Sequence, residues 1–276
     1  MGILRLFRIS ALVRICAFTF AAGLVIDARQ GSVWAGAWLM PPGAGQIIAS
    51  TAFSGSTRAF DAQGHLIPVP SYDKFELGGY LEYGLTDWLT LIAAPAYDRI
   101  RQPPPAASYE GLGQSEIGAR IGLYRSDMAA ISFEAGLRTP GASLNDTLEP
   151  FQPRRAAALD LRFLAGRNFE IGEMTGFAEA QAGYRFYAGK QPGEFLVDLT
   201  LGLRPTPQLL VLLQSFSSIS NGSGGGFRHN SWHKLQPSAV YDLSPQWSLQ
   251  IGGFITVAGV NSGRELGPLV GVWYRF

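Results

Sequence analysis

The stretch Glu265-Leu266-Gly267-Pro268-Leu269-Val270-Gly271-Val272-Trp273-Tyr274-Arg275-Phe276 decides the fold class. Successive side chains of a strand point to opposite faces, so Val270, Val272, Tyr274 and Phe276 share one face. Nothing polar follows Phe276 to solvate that face. A closed membrane barrel needs such a strand, because pairing it with the first strand removes the open edges of the sheet. The competing expectation is a soluble β-domain that ends on an aromatic residue.

Upstream, the chain divides into turn-separated segments about as long as a tilted strand needs to cross hydrocarbon, roughly 9–11 residues. Twelve strands are expected, over 45–58, 73–83, 88–101, 114–124, 129–139, 157–167, 175–187, 194–204, 208–219, 232–242, 247–258 and 266–276. Short connections (84–87, 125–128, 205–207, 243–246) mostly alternate with long ones (59–72, 102–113, 140–156, 220–231, 259–265). The pieces 168–174 and 188–193 are of similar length, one expected to be a turn and the other a loop. Short turns on one side and long loops on the other are the habit of bacterial outer-membrane barrels, whose termini lie in the periplasm.

Alternation is clearest in the middle of the chain. Ile117, Ala119, Ile121 and Leu123 oppose Glu116, Gly118, Arg120 and Gly122, and Leu199, Leu201 and Leu203 oppose Asp198, Thr200 and Arg204. The segment 208–219 loses its period in Leu209-Leu210-Val211-Leu212-Leu213, and 45–58 is weakly patterned. A face of glycine, alanine and charges cannot fill a wide barrel as a soluble core would, so the apolar face is expected to meet lipid. Aromatics at strand ends support this as interfacial girdles: Tyr83, Trp88, Tyr124, Tyr241, Trp247 and Phe276 near the turns, and Tyr72, Tyr97, Phe186 and Trp232 near the loops.

The expected lumen residues are Glu76, Glu82, Glu116, Arg120, Glu134, Arg138, Asp160, Arg162, Glu179, Arg185, Asp198 and Arg204. A register in which paired residue numbers sum to 254 sets Glu116 opposite Arg138 and Arg120 opposite Glu134. A sum of 341 in the next hairpin sets Arg162 opposite Glu179 and Asp160 opposite Gln181. Such pairs can stiffen the wall, line a narrow polar conduit, or do both.

The first residues read as an export signal. Arg5, Arg8 and Arg14 precede the apolar run Ile15 to Ile26, and Val33-Trp34-Ala35 supplies small residues at the two positions that matter before a cut. This divides the chain into a signal peptide, 1–35, and a barrel, 36–276. A cut after Ala35 leaves 18 basic and 20 acidic residues, a net charge of −2, so no basic excess points to nucleic acid. The single cysteine, Cys16, lies in the signal, so no disulfide or thiolate site is expected in the mature chain.

Catalytic and metal signals are sparse. Ser220-Asn221-Gly222 and His229-Asn230-Ser231-Trp232-His233 form the one stretch rich enough in serine and histidine for a lipid hydrolase. His229 and His233, four residues apart, would be about 13 Å apart in a strand, too far to share a metal ion. Pro103-Pro104-Pro105 reads as a stiff loop segment. No cofactor and no metal are expected.

Two resemblances bear on function. The spacing Gly271, Tyr274, Phe276 resembles the C-terminal signal by which bacterial barrels reach their assembly machinery, although Leu269 stands where that signal carries a polar residue. Tyr83-Gly84-Leu85-Thr86-Asp87-Trp88-Leu89-Thr90-Leu91, Leu243-Ser244-Pro245-Gln246-Trp247 and Val272-Trp273-Tyr274-Arg275-Phe276 resemble the family labelled "MetA-pathway of phenol degradation". That resemblance implies an outer-membrane barrel carrying hydrophobic or aromatic compounds. The expectation is therefore all-β: a single closed antiparallel transmembrane β-barrel of about 12 strands in the bacterial outer membrane, acting as a passive channel for small solutes. Its partners would be membrane lipid, the assembly machinery and a small-molecule solute. An outer-membrane lipid hydrolase built on 218–233, or a structural or surface-binding barrel, is the alternative.

Overall fold

A computed structural model describes residues 36–104, 108–141, 156–222 and 228–276. The expected signal peptide, Cys16, most of the 140–156 loop and the glycine-rich 223–227 lie outside the described residues. Twelve antiparallel strands form one closed barrel. They are β1 (Gly45–Phe60), β2 (Leu66–Thr86), β3 (Leu89–Ala94, continued by Ala96–Arg101) and β4 (Tyr109–Leu112, continued by Glu116–Arg125). Then come β5 (Ala129–Arg138), β6 (Ala158–Ile171), β7 (Met174–Tyr187) and β8 (Glu194–Thr206). The last four are β9 (Leu209–Ser220), β10 (Asn230–Asp242), β11 (Trp247–Val260) and β12 (Leu266–Arg275). Each strand pairs with its neighbours in sequence, and β1 pairs with β12.

That last pairing is the seam. Gln46 stands opposite Arg275 and Ser50 opposite Gly271. At the rim, the Gly45 amide donates to the Phe276 carbonyl at 2.8 Å, and the Phe276 amide donates back at 3.0 Å. Gly45 is glycine for a reason of space, since a Cβ there would run into the Phe276 ring.

The two faces divide as the alternation predicts. Ile117 is 65% exposed, Phe163 60% and Leu199 50%, all outward, whereas Arg120 and Asp160 point inward at 2% and 1%. A wall with that exterior suits hydrocarbon rather than water. At the turn end the exterior carries a continuous aromatic patch: Trp247 against Tyr274 (4.6 Å between ring centroids), Tyr274 against Phe276 (5.9 Å) and Phe276 against Tyr83 (6.5 Å). At the loop end Tyr184 packs on Phe186 and Phe195.

Several expectations need correction. The 59–72 loop is mostly strand: β1 and β2 continue as a projecting hairpin, with Phe60 opposite Leu66. Asp61 closes it, its carboxylate accepting from the Gln63 and His65 amides at 2.9 and 2.8 Å, with Gly64 at φ +80°. Pro68 and Pro70 withhold amide donors from this arm and so blunt its edge. Tyr72 and Trp232 are not girdle residues. Tyr72 shares parity with Lys74 and Glu76, and Trp232 with Lys234, so both turn inward; Tyr72 donates to Glu265 at 2.5 Å.

The interior holds a second surprise. Residues 36–42 do not lead straight into β1 but run across the turn end of the lumen, where Ala37, Trp38, Leu39 and Met40 are all buried. Trp38 joins Ala130, Leu164, Phe177, Leu210, Leu212, Val240 and Trp273 in an apolar cluster inside the barrel. This explains the broken period of Leu209–Leu213. Leu209, Val211 and Leu213 face outward, while Leu210 and Leu212 face the cluster, so both faces of β9 are apolar there. The expectation that the inner face leaves the barrel unfilled is thus wrong at this end. Glycines make the room: a Cβ at Gly166 would strike the Trp38 ring, one at Gly122 would lie 2.9 Å from Leu39 Cδ1, and one at Gly84 would strike the Pro41 carbonyl.

Replacing Gly45 by Val should displace the Phe276 ring and weaken the seam by about 1–3 kcal/mol, as overpacking generally does. The check is the temperature at which the folded, heat-modifiable band disappears on a gel; an unchanged temperature would count against the seam described here.

Candidate functional site: the lumen

Inward side chains on neighbouring strands stand about 4.5–5.5 Å apart at Cβ, so the register decides which charges meet. Between β4 and β5 the register is the expected one, with Glu116 opposite Arg138 and Arg120 opposite Glu134. Both pairs close, Arg138 to Glu116 at 2.7 Å and Arg120 to Glu134 at 2.7 Å. Between β6 and β7 the expected register is wrong by four residues. The turn is Gly172-Glu173, with Gly172 at φ +61°, and Ile171 pairs with Met174. Asp160 therefore faces Arg185, and Arg162 faces Gly183, instead of Gln181 and Glu179. A shift of four preserves parity, so every charge remains inside.

The charges assemble into connected groups. Arg120 reaches Glu82 at 2.7 Å as well as Glu134, and Tyr80 both accepts from Arg120 (3.1 Å) and donates to Glu82 (2.8 Å). Arg138 spans Glu116 and Asp160, and Arg185 binds Asp160 with two nitrogens at 2.7 Å, the fork geometry that makes guanidinium–carboxylate pairs strong. Arg185 also lies 3.4 Å from Glu194, and Arg162 pairs with Asp198 at 2.5 Å. Nearer the loop end Lys74 contacts Glu76 (2.7 Å) and Asp98 (3.4 Å), while Lys234 contacts Glu265 (2.9 Å). At the turn end Asp242 gathers Arg204 at 2.9 Å and Arg275 at 3.3 Å. Lys74, Lys234, Asp98, Glu194, Asp242 and Glu265 were not among the sequence candidates, yet each shares parity with one that was or with its cross-strand partner.

Glu179 stands apart from these groups. It is buried, accepting from Gln181 Nε2 at 2.6 Å and from the Ala37 amide at 2.7 Å. No cationic side chain among the described residues lies within ion-pair distance of it.

The ionic groups lie mainly on β2 to β8. The wall from β9 to β12 is different, built from amides, hydroxyls and aromatic rings. Gln236 donates to Gln214 (3.2 Å), Gln250 to Ser238 (2.9 Å), and the Trp273 indole to Gln250 (3.0 Å). Lys234 Nζ lies 4.9 Å from the Phe254 centroid and 5.6 Å from that of Trp232. The lumen thus has a densely charged half and a half of amides, hydroxyls and rings whose charges are few and paired, Lys234 with Glu265 and Asp242 with Arg204 and Arg275.

The serine–histidine stretch does not assemble as the lipid-hydrolase alternative requires. Ser231 is buried without a hydrogen bond to either histidine, and the His229 contact shown is its backbone carbonyl accepting from Asn261 at 2.8 Å. A different pair does form: Ser217 Oγ lies 2.9 Å from His233 Nδ1, on the outward face opposite the apolar Val197. Among the described residues neither a carboxylate nor an amide contacts the other ring nitrogen, and no cluster of metal-ligating residues occurs.

No family model matches the chain, and no curated protein sequence matches it. Its fold is similar to solved barrels. An outer-membrane channel from Pseudomonas putida F1 superposes with a TM-score of 0.67 at 16% identity, covering 89% of this chain and all of that one. The translocator domain of the autotransporter NalP from Neisseria meningitidis gives 0.55 at 13% identity, covering 86% of this chain and 90% of that one. The β domain of the Bordetella autotransporter BrkA gives 0.51 at 12% identity, covering 85% and 100%. At these identities the likeness is one of fold.

Arg120→Ala would leave Glu82 and Glu134 buried without their shared cation, a loss of about 3–5 kcal/mol for a broken buried pair. Urea unfolding in detergent reads it, and a change below about 1 kcal/mol would show that the network is solvated and weak.

Proposed function

We propose that this chain is a passive channel of the bacterial outer membrane, its termini and short turns in the periplasm, for small solutes of uncharged or aromatic character. One observation carries the reading: the lumenal cations are already paired with carboxylates, so the wall offers a passing ion little net field, whereas β9 to β12 offer amides and rings. Mixed charge of this kind screens solutes without a strong ion preference. The resemblance to the phenol-degradation family favours aromatic compounds, and the fold shared with an outer-membrane channel favours conduction. Residues 36–42 narrow the conduit at its turn end. The strand that carries Gly271, Tyr274 and Phe276 would be the one that the barrel-assembly machinery reads; Tyr274 and Phe276 face outward, where such a reader could reach them.

Lipid hydrolysis is the second reading, and the Ser217–His233 contact on the outer surface is the observation in its favour. A nucleophile and base without a third group to orient the imidazole fall short of the usual arrangement.

Single-channel recording in planar bilayers tests conduction. The wild-type chain should give small, weakly selective conductance steps, and Trp38→Ala should enlarge them, because Trp38 is the largest side chain lying across the turn end. Absence of current from both proteins would remove the channel reading. His233→Ala should leave lipid release from vesicles at the wild-type background; a wild-type activity that this change abolishes would establish the hydrolase instead.

A further inference from the structure

Glu179 poses a question that the rest of the lumen does not. Arg120, Arg138, Arg162 and Arg185 each bind carboxylates directly, yet Glu179, also buried, has only an amide side chain and a backbone N–H. A carboxylate kept from water is costly without a counter-charge. Arg120 is nearby but already shared between Glu82 and Glu134, which leaves the turn-end interior with an excess of negative charge.

The residue beside Glu179 is Gly36. A Cβ on Gly36 would lie 3.0 Å from Glu179 Oε1 and 3.3 Å from Gln181 Nε2. The Gly36 nitrogen is bonded to the same Cα, so it is at most about 5.5 Å from that oxygen by standard backbone dimensions. Rotation about the Gly36 Cα–C bond can bring it closer while the Ala37 amide keeps its own bond to Glu179. Gly36 is also the residue that follows Val33-Trp34-Ala35, the small-residue pattern before which the basic and apolar signal runs.

We propose that cleavage after Ala35 makes Gly36 the N-terminus and that its new α-ammonium is the missing counter-ion of Glu179. Hydrolysis of the Ala35–Gly36 peptide bond adds one water, leaving a carboxylate on Ala35 and an amine on Gly36 that takes up a proton. Maturation thereby creates the charge that pins residues 36–42 across the lumen, and Trp38 and Leu39 follow into the spaces left by Gly166 and Gly122. The proposal rests on the sequence reading of an export signal and is independent of whether the lumen conducts.

The test uses protein purified from outer membranes. Intact-mass analysis should show a chain beginning at Gly36. An amine-reactive ester at pH 7 should label that α-amine about tenfold more slowly in the wild type than in Glu179→Gln, since one unit of raised amine pKa is tenfold less free amine. A second variant, one alanine inserted between Ala35 and Gly36, moves the ammonium one residue along while retaining every lumenal side chain. It should label as fast as Glu179→Gln, and it decides the matter if Glu179→Gln lacks the heat-modifiable band of a folded barrel. A mature chain beginning at any other residue overturns the proposal. So does wild-type labelling as fast as that of the folded variants.

Discussion

Hydrocarbon offers no water to an unpaired backbone group, and the hydrogen bonds between Gly45 and Phe276 are where this chain meets that constraint. They bring β12 back to β1 and leave the sheet no edge in the wall. Once the sheet is closed, its two faces become two environments, and the period of two along each strand sorts side chains between them. Leu199 and Phe163 face outward, whereas Arg120 meets Glu82 and Glu134 inside and Asp160 meets Arg138 and Arg185. The aromatic patch of Trp247, Tyr274, Phe276 and Tyr83 forms at the rim because the seam brings the first and last strands together there.

Inside, two ways of filling space coexist. Along β2 to β8 the wall is occupied by long charged side chains whose heads neutralise one another, with Asp160 held by Arg185 and Arg138 and with Glu82 and Glu134 held by Arg120. Buried ion pairs add little net stability against an apolar alternative, because desolvation offsets most of the attraction. Their value here is that they keep the surface polar while each charge in a pair is neutralised by its partner. At the turn end the barrel turns to ordinary apolar packing, with Trp38 and Leu39 brought in from residues 36–42 to complete what Leu164, Phe177, Leu210, Leu212 and Val240 begin. The polar, partly aromatic wall of β9 to β12 lies above this floor and is the part of the lumen suited to an uncharged solute.

Much of this was legible in residue order because strand geometry is so regular. Parity alone gathers the charges of each strand on one face, and the tight connection between β4 and β5 leaves only one register that matches Glu116 with Arg138 and Arg120 with Glu134. The neighbouring hairpin was not legible to that precision. Its turn could have been centred at several places in Asn168–Met174, and only the left-handed backbone at Gly172 selects the register that joins Asp160 to Arg185. Tyr72 and Trp232 were misplaced by trusting their position at strand ends over their parity. The strap of residues 36–42 had no pattern of its own, but it left a trace elsewhere: inward Leu210, Leu212, Phe177 and Leu164 are out of place in a polar lumen, and inward Gly84, Gly122 and Gly166 are smaller than their neighbours require. Apolar residues and glycines on the wrong face are the signature of something that docks there.

The claim most exposed to test is the separation of the two faces on a single strand. Cysteines placed in turn at Leu199 and Thr200, in a chain carrying Cys16→Ser, would each bear an environment-sensitive fluorophore after reconstitution into vesicles. The account predicts that the label at 199 is quenched by brominated acyl chains and not by aqueous iodide, and that the label at 200 shows the reverse. Quenching of the label at 200 by brominated lipid, with iodide reaching the one at 199, would contradict it.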